Sequence, residues 1–264
     1  MVPSICPTCA QPIPPAQTPP PPPEETLQST TTPEAPFPPT PIVTLPNCTI
    51  RPYHPRDIPS LALHANNPNI AKWMTNLFPT PYTLADSEHW VMMNVPKPST
   101  TSHTADSAAS ASTAAAEPPP ASPAAEATSM PDVAQLTYPP ILKYVLALPE
   151  TSTAIGTIDI RPGGGNESHT AEIGYWVGEA YWGRGIASGA VRAFVEWAFA
   201  AVPGLERIFA HLYDENVGSA TVLKRAGLVW EGKMRRAAIR MGRYWDMEVY
   251  GVLREEVMGV KDGV

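Results

Sequence analysis

The second half of the chain carries the clearest periodic signal. Residues 141–148 are apolar, with β-branched or aromatic side chains at several positions, and 155–161 alternate apolar with polar. Both patterns predict strands. Pro162-Gly163-Gly164-Gly165-Asn166 then turns the chain. From Glu172 to Val177 the alternation returns, with Ile173, Tyr175 and Val177 on one face and Glu172, Gly174 and Trp176 on the other. A helix is predicted from Ile186 to about Ala201, its apolar stripe formed by Ile186, Ala190, Phe194, Trp197 and Ala201, and Pro203-Gly204 stops it. Arg207–Leu212 reads as a strand. Asn216–Ala226 reads as a helix, with Lys224 and Arg225 in its last turn and Gly227 as its stop. Val229–Arg240 and Tyr244–Leu253 make a closing hairpin about Met241-Gly242-Arg243.

The first half is less regular. A short strand is expected through Cys48, Ile50 and Arg51. Asp57 is expected to cap a helix running through Leu61, Leu63 and His64, with Pro59 tolerated in its first turn. A helical piece with Ile70, Trp73 and Met74 on one face follows. Thr83 and Asp86 then open a further helix in a capping-box arrangement, ending before Pro96. The element order is strand, helices, three strands, helix, strand, helix, two strands. That order implies a mixed α/β sheet with helices on both faces. The two steps that pass through a helix suggest parallel neighbours.

Composition changes this picture at two places. The 34 prolines of the 264 residues cluster before residue 56 and between 96 and 140, among Ala, Ser and Thr. Such stretches bury too little apolar surface to offset the entropy of ordering. Residues 1–44 are therefore read as a disordered tail, 45–258 as one domain interrupted by a low-complexity insert at 96–137, and 259–264 as a C-terminal tail. A surface insert costs little, because loop-closure entropy grows only logarithmically with length. The run Pro19–Pro23 favours polyproline II, a spacer or a ligand for a partner's aromatic groove.

The formal charge of −7 belongs mostly to these segments: Glu24, Glu25 and Glu34 in the tail, and Asp106, Glu117, Glu126 and Asp132 against Lys97 in the insert. The core is left near neutral, without the basic stripe that nucleic-acid binding needs. Cys6 and Cys9 form a CxxC without a second ligand pair, so no zinc site or other metal site is expected; Cys48 stands alone. The low, odd count suits a reducing compartment. Neither an apolar run of membrane-spanning length nor a secretory leader is visible, and cytoplasm or nucleus is the expected location.

The chemistry concentrates where a strand passes through glycines into a helix: Tyr181-Trp182-Gly183-Arg184-Gly185-Ile186-Ala187. A helix N-terminus offers unpaired N–H groups and partial positive charge, and the glycines let the backbone curl close to an anion. The segment lacks the GK[ST] of a nucleotide P-loop and the third glycine of a dinucleotide fingerprint. Taken alone it reads equally as a pyrophosphate cradle or as a tight turn.

Glu172–Ala226 resembles the GNAT acetyltransferase superfamily. Gly185 and Ala187 match two constants of its Gln/Arg-x-x-Gly-x-Gly/Ala loop, and Trp182 departs from the first. "EIGYWV…YWGRGIA", "NVGSATVLKRAGL", "IRPYHPRDIPSLALHANNPNIAKWM" and "RYWDMEVYGVL" are similar to the branch of ribosomal-protein alanine and serine N-terminal acetyltransferases. The resemblance implies a mixed, mostly antiparallel sheet of about seven strands. It implies acetyl-CoA as co-substrate, with pantetheine held by the backbone around Tyr175, Trp176 and Val177 and by Asn216. Pyrophosphate would lie on the N–H groups of Trp182, Gly183, Arg184, Gly185, Ile186 and Ala187. It further implies direct acetyl transfer to an amine, either a protein N-terminus or a small molecule. Glu172 is the first candidate for the base, with Asp214 and Glu215 as alternatives; Ser219, or Tyr213, would protonate the departing thiolate. A non-catalytic CoA-binding scaffold that recruits partners through its proline-rich segments is the alternative. Asp246 is expected to stabilise the hairpin, His211 to be packed or solvated, and Trp73 and Trp90 to belong to the core.

Overall fold

The computed structural model describes residues 36–96 and 142–259. The CxxC pair, the Pro19–Pro23 run and the insert at 97–137 lie outside these residues. Among the described residues eight strands form one sheet in the order β1-β2-β3-β4-β5-β6-β8-β7. They are β1 (Val43–Thr44), β2 (Thr49–Arg51), β3 (Lys143–Ala147), β4 (Ala154–Pro162), β5 (Thr170–Val177), β6 (Arg207–Tyr213), β7 (Val229–Arg240) and β8 (Arg243–Leu253). Every neighbouring pair is antiparallel except β5 and β6. Among the described residues six α-helices accompany the sheet: α1 (Ile58–Ala65), α2 (Pro68–Ala71), α3 (Leu84–Asn94), α4 (Ile186–Ala201), α5 (Val217–Ala226) and α6 (Arg254–Met258).

Alternation along the strands divides the core between the two faces, as β3 shows. Tyr144 and Leu146 join the cluster under α4 and α5, which includes Phe194, Val195, Phe199 and Leu223. Val145 and Ala147 face the other way, into a smaller cluster with Tyr53, Leu61 of α1 and Val91 of α3. The expected mixed sheet with helices on both faces is the architecture found.

Three details differ from the sequence expectation. Strand pairing begins at Val43, inside the stretch read as tail, because a two-residue edge strand needs only Val43↔Ile50 and Thr44↔Thr49. Of the two helix-separated steps, only β5–α4–β6 joins neighbours. β6 and β7 run in the same direction, but β8 inserts between them and pairs antiparallel with both. Asp57 does not cap α1. Its carboxylate instead accepts from the backbone N–H of His54 and pairs with Arg51.

The start of α3 follows the sequence reading. Thr83 Oγ1 accepts from the N–H of Asp86 at 3.2 Å, and Asp86 Oδ2 accepts from the N–H of Thr83 at 2.8 Å. Thr83→Ala is expected to cost about 1 kcal/mol, measured as a lower urea midpoint with an unchanged slope.

Candidate active site

β5 and β6 pair only over Thr170↔Arg207, Ala171↔Ile208 and Glu172↔Phe209. Beyond that point both strands continue, β5 to Val177 and β6 to Tyr213, without pairing to each other. β5 stays bonded to β4 as far as Val177, so its other edge opens into a cleft. The N–H of Gly178 donates to Ile155 O at 2.7 Å, which fixes the alternation. Gly174 and Trp176 therefore turn their main chains toward β4, while Ile173, Tyr175 and Val177 face the opening. The main chain of Trp176, expected among the cleft groups, is used inside the sheet, and its ring packs against the smaller core cluster.

At the far end of the cleft the chain enters α4. Gly183 and Gly185 both have positive φ, +73° and +75°. A Cβ built on either meets none of the described residues within 4 Å, so among them the space before these glycines is open. Gly185 is the N-cap of α4 and no side chain caps the helix. The first helical bond runs from Gly189 N–H to Gly185 O, leaving the N–H groups of Ile186, Ala187 and Ser188 without a helical acceptor. Trp182 fixes the loop from behind: its Nε1 donates to Val177 O at 2.6 Å. The indole thus braces the loop against the end of β5. Arg184 lies over the Tyr181 ring, its Cζ 5.6 Å from the centroid.

α5 closes the opposite wall. Asn216 caps it, its Oδ1 accepting from Ser219 N–H at 3.1 Å. That bond leaves the Asn216 amide NH₂ to donate elsewhere. Ser219 Oγ and the Tyr175 hydroxyl share a hydrogen bond of 2.8 Å across the cleft. Burial pushes the Tyr175 phenol well above its ordinary value, although the Ser219 contact works against the shift. The phenol therefore keeps its proton through the neutral range.

Glu172 and Tyr213 lie on the sheet face opposite α4 and α5. Glu172 sits at the paired end of the cleft, with Oε1 3.1 Å from His211 Nδ1 and Oε2 3.1 Å from Arg161 Nη2. Burial opposes its ionisation, but His211 and Arg161 together outweigh burial and hold the carboxyl below its usual range. Such a clamped anion is a poor proton acceptor. Asp214 is held by Lys233 at 2.8 Å, and Glu215 pairs with Arg243. The Tyr213 hydroxyl donates to Met74 O at 3.4 Å. Asp246 accepts from Arg236 N–H at 2.8 Å and braces the β7–β8 hairpin.

Trp73, expected in the core, instead lies half-buried beside Tyr213 and Trp245, with ring centroids 6.5 and 6.2 Å away. These three rings line the unpaired end of β6. Trp90 packs against the smaller cluster and donates to the Tyr53 hydroxyl at 3.1 Å.

Sequence reasoning missed Asp159 on β4. It stands opposite Gly174 of β5, its side chain is 17 % exposed, and its Oδ1 accepts no hydrogen bond. Burial raises its carboxyl above the ordinary value; Arg161 and Lys143 pull the other way and Glu172 adds to the rise. Among the described residues no group of three or more His, Cys, Asp and Glu side chains is placed to hold a metal ion, and no helix is long and apolar enough to cross a membrane.

This arrangement, a sheet split between its one parallel pair with an uncapped helix at the open end, matches a known family. The model of the acetyltransferase (GNAT) domain family matches residues 97–229, half of the chain. The chain belongs to that family. An uncharacterized N-acetyltransferase p20 of Bacillus licheniformis is 32 % identical over 117 residues, 44 % of this chain and 65 % of the relative. The chain thus spans just under two thirds of that relative's length. Among solved structures, an acetyltransferase (GNAT family) from Bacillus anthracis superposes with a TM-score of 0.58 at 19 % identity, over 81 % of this chain and 98 % of that one. The ribosomal-protein-S5-alanine acetyltransferase of Vibrio fischeri gives 0.55 at 18 % identity, over 81 % and 96 %. At these identities the structural likeness establishes the fold.

Proposed function

We propose that the protein transfers an acetyl group from acetyl-CoA directly to a primary amine. The observation that carries this reading is the cleft between β5 and β6. The open edge of β5 from Ile173 to Val177 is about 13 Å long at the usual strand rise. Its outward N–H and C=O groups, apart from the Val177 C=O that accepts from Trp182, can pair with the amides of an extended pantetheine arm, as they would with an added strand. The open space before Gly183 and Gly185, with free N–H groups at the start of α4, suits a pyrophosphate. Asn216 has a free amide donor to offer the arm from the other wall.

With pyrophosphate at Gly183–Ala187, the reacting end of the substrate lies toward Ile173, where the strands rejoin. There an N–H of β5 stabilises the charge that builds on the thioester oxygen. Ser219, with Tyr175 behind it, supplies a proton to the sulfur as the C–S bond breaks. Direct transfer needs no enzyme nucleophile. The one cysteine in the described residues, Cys48, is buried in the core with its thiol pushed up to about 11.

Ser219→Ala is expected to lower kcat by about 100-fold and to leave acetyl-CoA affinity nearly unchanged, measured by steady-state kinetics beside calorimetry. The function itself is tested by incubating the protein with acetyl-CoA and either a peptide bearing a free N-terminal Ser or Ala, or a polyamine. Free thiol and acetylated product are followed together. Equal release of both supports the reading. Acetyl-CoA binding with no product from any amine would instead favour the non-catalytic scaffold.

A further inference from the structure

We infer that Asp159 is the carboxylate that meets the acceptor amine, anchoring the incoming ammonium and taking its proton. This assignment rests on the reading of the β5–β6 cleft as the acetyl-CoA site. Asp159 faces Gly174, which lies two residues beyond the last β5–β6 pair at Glu172. That position is at the rejoining end of the cleft, where the thioester is placed. Gly174 has no side chain to intervene. A Cβ there would lie 3.2 Å from Asp159 Oδ1, 3.5 Å from Oδ2 and 3.5 Å from Arg161 Nη2. The carboxylate therefore lies over the backbone of β5 itself.

Its partners leave it underused. Oδ1 is shielded from solvent and accepts no hydrogen bond, and the nearest paired cation, Arg161 Nη1, is 3.7 Å away. The other Arg161 nitrogen, Nη2, is committed to Glu172 at 3.1 Å. The charged and titratable groups facing Asp159 are Lys143 on β3, Arg161 on β4, Glu172 on β5 and Tyr53 after β2. His211 of β6 stands behind Glu172. The Lys143 ammonium lies 4.3 Å from the centroid of the Trp90 ring, so that cation is partly engaged elsewhere. An ammonium entering the cleft would give Oδ1 the donor it lacks. Buried acceptors left without a donor carry a real cost.

The proton balance follows. Asp159 takes one proton from the ammonium, and the freed lone pair forms the C–N bond to the acetyl carbon. The C–S bond breaks with its electron pair remaining on sulfur, and Ser219 gives that sulfur a proton. Nitrogen loses its second proton to solvent as the amide forms, Asp159 passes its proton to solvent, and solvent restores Ser219. A raised carboxyl is a better match to an amine than the lowered Glu172.

Stability carries the same sign. Because the folded carboxyl titrates above its unfolded counterpart, ionising it costs stability as pH rises from the unfolded value through the folded one. At neutral pH, Asp159→Asn relieves that cost, whereas removal of a structural carboxylate would destabilise.

The experiment compares full-length parent, Asp159→Asn, Asp159→Glu and Glu172→Gln, using acetyl-CoA and a peptide with N-terminal Ser. Asp159→Asn should bind acetyl-CoA within about 2-fold of the parent by calorimetry and melt no lower. It should also lose about 100-fold or more in kcat/KM near neutral pH, and its acidic limb should move up to the amine's own titration, at about 8. Asp159→Glu should bring the limb back toward the parent's position, and Glu172→Gln should leave it there. An Asp159→Asn variant whose limb stays at the parent's position, or that melts below the parent, overturns the assignment, as does an upward-moved limb in Glu172→Gln. A parent that fails to bind acetyl-CoA brings down the reading of the cleft itself, and Asp159 with it.

Discussion

Gly185→Glu is expected to abolish measurable acetyl-CoA binding while the protein stays folded. Gly185 adopts φ +75° at the N-cap of α4, so any side chain there costs roughly 1–2 kcal/mol of backbone strain. None of the described residues lies within 4 Å of the added Cβ, so no clash with them adds to that cost. A carboxylate at a helix N-terminus is also favourable to the helix itself. The new side chain therefore occupies the space assigned to the pyrophosphate and answers the same N–H groups. Calorimetry should show affinity reduced by more than about 100-fold, of which lost pyrophosphate contacts and like-charge repulsion are the sources. Circular dichroism should show the native spectrum. Gly185→Ala, which brings strain without charge, should fall between the parent and Gly185→Glu.

The largest expected effect on stability lies far from the cleft. Arg51 and Asp57 are both essentially buried, at 0 % and 1 % exposure. They are joined twice, Nη1 to Oδ2 at 2.9 Å and Nη2 to Oδ1 at 2.6 Å. Arg51 also donates to Pro52 O and Ser152 O, tying the end of β2 to the β3–β4 turn. Asp57→Ala leaves the guanidinium buried without a counter-ion and frees the His54 N–H. A loss of about 3–5 kcal/mol is expected, measured by urea denaturation. Replacing both residues by apolar ones of similar volume should cost much less, because the uncompensated charge, rather than the missing attraction, dominates the single variant.

That ion pair also marks where the sequence was silent. Asp57 precedes an apolar helical run and reads as a cap; its partner, six residues back, is brought beside it by the tight turn through residues 52–57. Elements bounded by strong punctuation were legible. α4 runs from Gly185 to just before Pro203-Gly204, α5 stops at Gly227, and Thr83 with Asp86 opens α3. Period-2 alternation located the strands but did not say which strand neighbours which. For this reason the insertion of β8 between β6 and β7 was not foreseen.

The glycine loop could be read because positive φ and helix entry are local properties. Asp159 could not. Along β4 it alternates with Ile158 and Ile160 as any solvated polar residue would. Its position over Gly174 appears only once the β4–β5 register is known. Glu172 is the converse case: its strand was read correctly, yet Arg161 and His211, which lower its basicity, come from two other strands. The brace from Trp182 to Val177 had a sequence signal, the departure from Gln or Arg at that position, but the purpose of the departure needed coordinates.

The central claim is that acetyl-CoA lies along β5 with its pyrophosphate on the start of α4. Backbone amide chemical-shift mapping during titration with acetyl-CoA tests it most directly. The account expects perturbations concentrated at Ile173, Tyr175, Val177, Gly183–Ala187 and Asn216, with β1 and the β7–β8 turn at Met241 unmoved. Saturable shifts clustered elsewhere, or none at Gly183–Ala187, would contradict it.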